Sequence, residues 1–199
     1  MIWPPPPRAL EGEIVRMEPL GPEHRAGLRE AAADPDIWTW MDRRVPVEEG
    51  AFDRWFDTRA DAAARATEYP FATISVAEER PIGSSSYLTV RPEHSGLEIG
   101  WTWLNPEYWR TGANRDAKLL MLSFAFDDLG CMRVEFKTDA RNVRSREALE
   151  ALGTTFEGIF RDHMLMPVTG RRDSAYYSIT DADWPAVRAQ LVSGEAARA

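Results

Sequence analysis

Cysteine is nearly missing from this chain of 199 residues, Cys131 being the only one. A single thiol excludes an internal disulfide framework and fits a reducing, cytoplasmic compartment. Cys131 lies between Gly130 and Met132 in apolar surroundings, which predicts a buried structural thiol rather than a nucleophile. The sequence also lacks any run of about 18 apolar residues, so no membrane-spanning helix is expected. It lacks the basic start and apolar centre of a signal peptide; Met1-Ile2-Trp3 leads instead into Pro4 to Pro7, read as a proline-rich arm over residues 1–9. Histidine is scarce, and no cluster of Cys, His, Asp and Glu has ligand spacing, so no metal is expected. No Ser-His-Asp nucleophile elbow is visible. Positive charge is outnumbered, with 24 Lys and Arg against 32 Asp and Glu and a net charge of -8. That balance argues against a nucleic-acid partner and suits a cationic substrate.

What is present reads as one globular domain over residues 10–191, with an alanine-rich tail over 192–199. Periodicity predicts a strand over Glu13–Leu20 and a helix over Pro22–Ala33. An aromatic segment Ile37–Met41 follows, then a helix over Val47–Ala64. Strands are expected at Phe71–Ala77, Ile82–Val90, Gly96–Leu104 and Met132–Thr138, and again at Phe156–Met164 and Asp173–Ile179. Helices are expected at Ala113–Leu129, Asn142–Leu152 and Asp181–Leu191. This order is α/β (α+β) in class, a single domain with a mixed central sheet of about six or seven strands flanked by helices. In the strand Gly96–Leu104, alternation sets Leu97, Ile99, Trp101 and Trp103 on one face and Glu98, Gly100 and Thr102 on the other. Gly100 in mid-strand points to a bulge or a close backbone approach.

The stretch from Leu97 to Lys118 is the most informative. It reads as a strand, a loop bearing Arg110, Thr111 and Gly112, and then a helix. That order gathers backbone N–H groups at a helix N-terminus, where the dipole favours an anion. Glu98 lies just upstream, so a phosphate cradle stands beside a carboxylate. Arg110, Arg115, Lys118, Arg141, Arg144 and Arg146 gather around this loop and the turn at Asn142, a local positive field in an acidic chain; solvated helix charges account for about half of them.

Leu97-Glu98-Ile99-Gly100, Tyr108-Trp109-Arg110-Thr111-Gly112-Ala113-Asn114, Phe136-Lys137-Thr138-Asp139 with Asn142-x-Arg144-Ser145, and Ala175-Tyr176-Tyr177-Ser178 before Asp183-Trp184-Pro185 occur in that order. Together they resemble the GNAT superfamily of acyl-CoA-dependent N-acetyltransferases, and within it the branch of the ribosomal-protein N-terminal acetyltransferases. The resemblance runs from about Leu10 to Leu191. It implies a sheet splayed at the cofactor site and acetyl-CoA as co-substrate. In the family's pyrophosphate loop a Gln or Arg is followed after two residues by Gly and, after one more, by Gly or Ala; here Trp109 and Asn114 depart from it.

The resemblance implies roles for particular residues. Arg110, Thr111, Gly112, Ala113 and Asn114 would bind the pyrophosphate. A backbone N–H near Trp103 or Leu104 would stabilise the oxyanion formed on attack. Asn142 would hold the pantetheine amides. The family's usual tyrosine falls at Leu149, and Ser145 matches the serine that protonates the leaving thiolate in the ribosomal-protein branch. Glu98 matches the family's base; read alone, it is equally a strand carboxylate paired with an Arg or facing solvent. His163 is a second candidate base, against a hydrogen-bonded strand histidine; His24 and His94 read as surface residues. Glu48, Glu49 and Asp53 could attract a cation, against a solvated helix face. Trp38, Trp40 and Trp55 are candidates for core packing first, then for an acceptor pocket or a homodimer face. The implied activity is acetyl transfer to a primary amine, either a protein N-terminus or a small molecule. The rival is a module that holds acyl-CoA without transferring it.

Overall fold

A computed structural model describes residues 8–166 and 170–194. The proline run Pro4–Pro7 and residues 195–199 of the tail lie outside the described residues. Thirteen regular elements occur in chain order: β1 (Leu10–Glu11), β2 (Val15–Pro19), α1 (Arg25–Ala31), α2 (Ala51–Ala64), β3 (Tyr69–Ser75), β4 (Pro81–Arg91), β5 (Gly96–Leu104), α3 (Ala113–Ser123), β6 (Arg133–Asp139), α4 (Val143–Ala151), β7 (Thr155–Met166), β8 (Gly170–Thr180) and α5 (Trp184–Ser193). The strands form one eight-stranded sheet in the order β1-β2-β3-β4-β5-β6-β8-β7. Every pair is antiparallel except β5 and β6. The strand beyond the expected six or seven is β1, whose two residues are too short for periodicity to reveal.

Several boundaries move for local reasons. The helix expected from Val47 begins at Ala51, because Gly50 at φ 71 turns the chain into the helix there. The first helix opens with a 3-10 turn at Pro22–His24. The helix expected through Leu129 is α-helical only to Ser123 and ends in a π turn, Phe124–Asp128.

The two faces of the sheet bury separate apolar clusters. Leu97, Ile99, Val134, Phe136, Tyr177 and Ile179 pack with Met121 and Leu122 of α3 and Val187 of α5. On the opposite face, Ala72, Ile74 and Trp103 pack with Leu28 of α1, Phe52 and Phe56 of α2, and Trp38. Each fully buried large side chain contributes about 1.5–3 kcal/mol.

Two irregularities in β5 create the site. The register runs Ser84↔Trp103 to Ser86↔Gly100, so three steps on β5 oppose two on β4. The extra residue is accommodated at Trp101, whose φ of 50 marks a bulge. Strict alternation therefore fails beyond Gly100. Leu97 and Ile99 face α3 as expected, but Trp103 turns into the opposite cluster and Thr102 turns toward α3. Gly100 itself marks a close approach, since a Cβ there would meet Leu88 Cδ1 at 2.7 Å. The second irregularity lies on the other edge of β5. Its parallel pairing with β6 covers only Gly96↔Arg133, Leu97↔Val134 and Glu98↔Glu135. From Ile99 onward the two strands diverge, and the β6-facing edge of β5 lacks a strand partner.

Candidate active site

The divergence opens a cleft of about 770 Å³. Trp103 and Leu104 of β5, Arg110 and Asn114 of the loop and α3, and Asn142 and Ser145 at the start of α4 all contribute to its wall. Trp40, Lys137 of β6 and Arg172 of β8 line it as well. The fold thus brings together six of the residues expected at the site. Thr111, Gly112 and Ala113 belong to the same loop without lining the cleft.

The loop is built to present donors. Arg110 and Gly112 sit at φ 64 and 94, so the chain reverses before α3 begins. The amides of Arg110, Thr111, Gly112 and Asn114 have no acceptor among the described residues, whereas that of Ala113 reaches Thr111 Oγ1 at 3.4 Å. Asp116 fixes this helix start against the sheet by accepting from the Ile14 and Val15 amides at 2.7 and 2.9 Å. Trp109, the first departure from the family pattern, is anchored through Nε1 donating to the Leu104 carbonyl at 2.9 Å. Its ring carries the Arg144 guanidinium 3.7 Å above it. A phosphate fits this loop: free amides at a helix N-terminus, with Arg110 and Arg144 in the cleft wall.

At α4, Asn142 caps the helix, its Oδ1 accepting from the Ser145 amide at 3.2 Å. The amide nitrogen of the Asn142 side chain and the Ser145 hydroxyl have no protein partner among the described residues.

Glu98 is 3% exposed and is not part of the cleft wall. Its Oε2 accepts from Lys137 Nζ at 3.0 Å and from Thr89 Oγ1 at 3.2 Å. It is a buried, ion-paired carboxylate one layer behind the cleft, with Lys137 standing between. Glu98 is thus ion-paired, but its partner is a lysine, Lys137, and not the arginine expected.

The six basic residues separate into four groups. Arg110 and Arg144 line the cleft. Arg141 pairs with Asp139 at 2.8 Å, and Arg146 donates to the Tyr177 hydroxyl at 2.9 Å. Arg115 is exposed and does not line the cleft. Lys118 also lines the cleft, but its ammonium is turned to two hydroxyls and is not a free charge for a phosphate. It is 4% exposed, and Nζ donates to Thr102 Oγ1 at 2.7 Å and Ser85 Oγ at 3.0 Å. Burial pulls its pKa down from 10.5 to about 7.

Other expectations resolve similarly. His163 is hydrogen-bonded on both ring nitrogens, to Ser174 Oγ at 3.0 Å and the Tyr176 hydroxyl at 3.2 Å. Its pKa is lowered, first by burial and then by Lys137 and Arg172. His24, read as a surface residue, is buried between the Gly21 amide and Glu18; His94 is exposed. Asp53 is held by Arg25 and Arg29, Glu48 by Arg54, and Glu49 stands exposed outside the cleft, so none of the three lines it. Trp38 and Trp55 pack with Trp103, at 5.5 and 5.6 Å between centroids, while Trp40 lines the cleft. Burial raises the Cys131 thiol to about 12, as a structural cysteine requires. The sequence reading missed Arg172 and the burial of Lys118. Lys118 shares a helical stripe with buried Met121 and Leu122, three and four residues on, which is the signal that finds it.

Residues 15–155 match the family model of the acetyltransferase (GNAT) domain, well over half of the chain. The chain belongs to the GNAT family of acetyltransferases. This acetyltransferase is similar to a GCN5-related N-acetyltransferase from Brucella melitensis, at 31% identity and a TM-score of 0.87 over 95% of this chain and 86% of that one. The FsC-acetyl coenzyme A-N(2)-transacetylase of Aspergillus fumigatus is 25% identical over 185 residues, 85% of this chain and 75% of its own length. The ribosomal-protein-S5-alanine acetyltransferase of Vibrio fischeri shares the fold, at 19% identity and a TM-score of 0.70, over 89% of this chain and 99% of that one. The family is one of acyltransferases that use acetyl-CoA and act on an amine. Among the described residues, no helix of this acetyltransferase is long and apolar enough to cross a membrane.

Proposed function

We propose that the protein acetylates a primary amine by direct attack within a ternary complex. The observation that carries this reading is the early end of the β5–β6 pairing at Glu98↔Glu135, which opens one cleft to both a donor-rich loop and a polar wall. Two substrates can then meet at the diverging strands without a covalent enzyme intermediate, in keeping with a buried Cys131.

Bound acetyl-CoA supplies the acyl group as a thioester. The amides of residues 110–114, with Arg110 and Asn114, hold the diphosphate. The Asn142 side-chain amide and the free edge of β5 receive the pantetheine arm as a short added strand. A β5 amide near Trp103 or Leu104 stabilises negative charge as it develops on the thioester oxygen. Ser145 donates a proton to the departing sulfur. Glu98 is the final acceptor of the amine's proton, relayed by water past Lys137, because the carboxylate lies behind the wall rather than in it. The acceptor is a protein N-terminus or a small amine.

Thiol release from acetyl-CoA, measured over a panel of small amines and peptide N-termini, tests this reading. Amine-dependent release is expected. Glu98→Gln lowers kcat by about 100-fold or more, and Ser145→Ala by about tenfold. A thermal shift with acetyl-CoA but no thiol release on any amine, unchanged by either substitution, would instead establish a module that binds the acyl donor without transferring its group.

A further inference from the structure

Arg172 lines the cleft and, unlike Lys137, has no anion of its own among the described residues. It stands on β8, 7% exposed, and contributes to the wall. Its Nε is buried without a hydrogen-bond partner, and no carboxylate reaches its guanidinium within ion-pair distance. The polar groups around it are already committed. Glu98 accepts from Lys137 at 3.0 Å. Asp139 accepts from the Arg141 amide and Nε, both at 2.9 Å, and from a terminal nitrogen at 2.8 Å. Ser174 and the Tyr176 hydroxyl are both bonded to His163. Three cations therefore face two anions, in a chain whose overall charge is -8. Burial lowers the Arg172 pKa, while Asp139 and Glu98 act at longer range to hold its charge. An unpaired buried guanidinium opposes folding, so its presence in a cleft wall points to a partner that arrives from outside.

We propose that Arg172 is the anion subsite of the acceptor pocket, and that the acceptor is a small amine carrying a carboxylate, of the amino-acid class. This assignment rests on the acetyl-transfer reading and deepens it. The planar guanidinium offers paired N–H donors spaced for two carboxylate oxygens. A monoanion suits the position better than a phosphate dianion, because Glu98 and Asp139 stand close enough to repel added negative charge. The donor's own phosphates are served by the loop at residues 110–114.

The test compares amino acids with their carboxamides, with O-phosphoethanolamine, and with a peptide N-terminus free of acidic residues. Acetylation is followed by thiol release, and the same ligands are titrated calorimetrically into the protein saturated with CoA. For the favoured amine, the carboxylate form is expected to exceed its amide at least about tenfold in both affinity and kcat/KM, the loss in the amide falling on KM. Arg172→Met should erase that ratio. Arg172→Lys, which keeps the charge, should retain part of it, and it serves if the methionine variant does not fold. Equal binding of acid and amide by the natural protein overturns the assignment, as does a ratio that survives Arg172→Met. A preference for O-phosphoethanolamine or for the peptide also overturns it. Failure of the transfer reading is distinct: no thiol release with any amine, whatever the calorimetric ratio.

Discussion

At the scale of single residues, Lys118 makes the sharpest prediction. Its folded pKa near 7 lies below the ordinary 10.5, so between those values the unfolded chain holds a proton that the folded chain has released. Its contribution to stability is therefore flat below pH 7, rises from about pH 7 to about pH 10, and is complete above that, with a slope of at most about 1.4 kcal/mol per pH unit. Denaturation of Lys118→Met across this range should give a curve flatter than that of the natural protein by this amount. Parallel curves would mean that the ammonium stays charged in the fold. Residues also mark how far sequence reaches. Asn142 and Ser145 were singled out by the resemblance, and the structure makes them the cap and first turn of α4. The partner of Glu98 was not legible: Lys137 is brought to it by the short parallel pairing of β5 and β6, a contact no local pattern encodes. Arg172 sits in a run of charged residues that reads as a loop before the last strand. Once β8 is known to begin at Gly170, alternation with Ser174 and Tyr176 puts Arg172 on their face.

At the scale of elements, the proposed donor site rests on the loop before α3. Gly112 lies at φ 94, and a Cβ there would also meet Ile14 Cδ1 at 3.0 Å. Gly112→Ala is expected to cost about 1–3 kcal/mol of stability and to raise KM for acetyl-CoA by about tenfold or more, with kcat changed less. A variant with natural KM would show that the amide positions in this turn do not matter for the donor. Strand β5 shows why periodicity stops short. Its limits, Gly96 and Leu104, follow from alternation and flanking residues, but one extra residue at Trp101 reverses every side chain after it. The bulge was signalled by Gly100, yet its position one residue later decides that Trp103 joins the α2 side and Thr102 meets Lys118. Most helix limits shifted by a few residues where a glycine or a 3-10 or π turn intervened, without altering which elements exist.

At the scale of the whole molecule, one sheet with two dissimilar faces organises everything else. One face is covered by α3 and α5 and the other by α1 and α2, and the break between β5 and β6 joins them through the cleft. The fold class was readable because the order of strands and helices is a long-range sum of many weak local signals. The proposed site was readable only where motif and element coincided, at the loop of residues 110–114 and at Asn142. The proposed acceptor wall was not readable, since β6, β8 and the segment around Trp40 are far apart in the chain. The central claim is that the diverging strands house the donor's thioester arm. A structure of the protein with CoA tests it most directly. The account predicts the diphosphate against the amides of residues 110–114 and the sulfur between β5 and Ser145. Diphosphate bound elsewhere, or a cleft closed by the protein's own side chains while CoA is held at another surface, would contradict it.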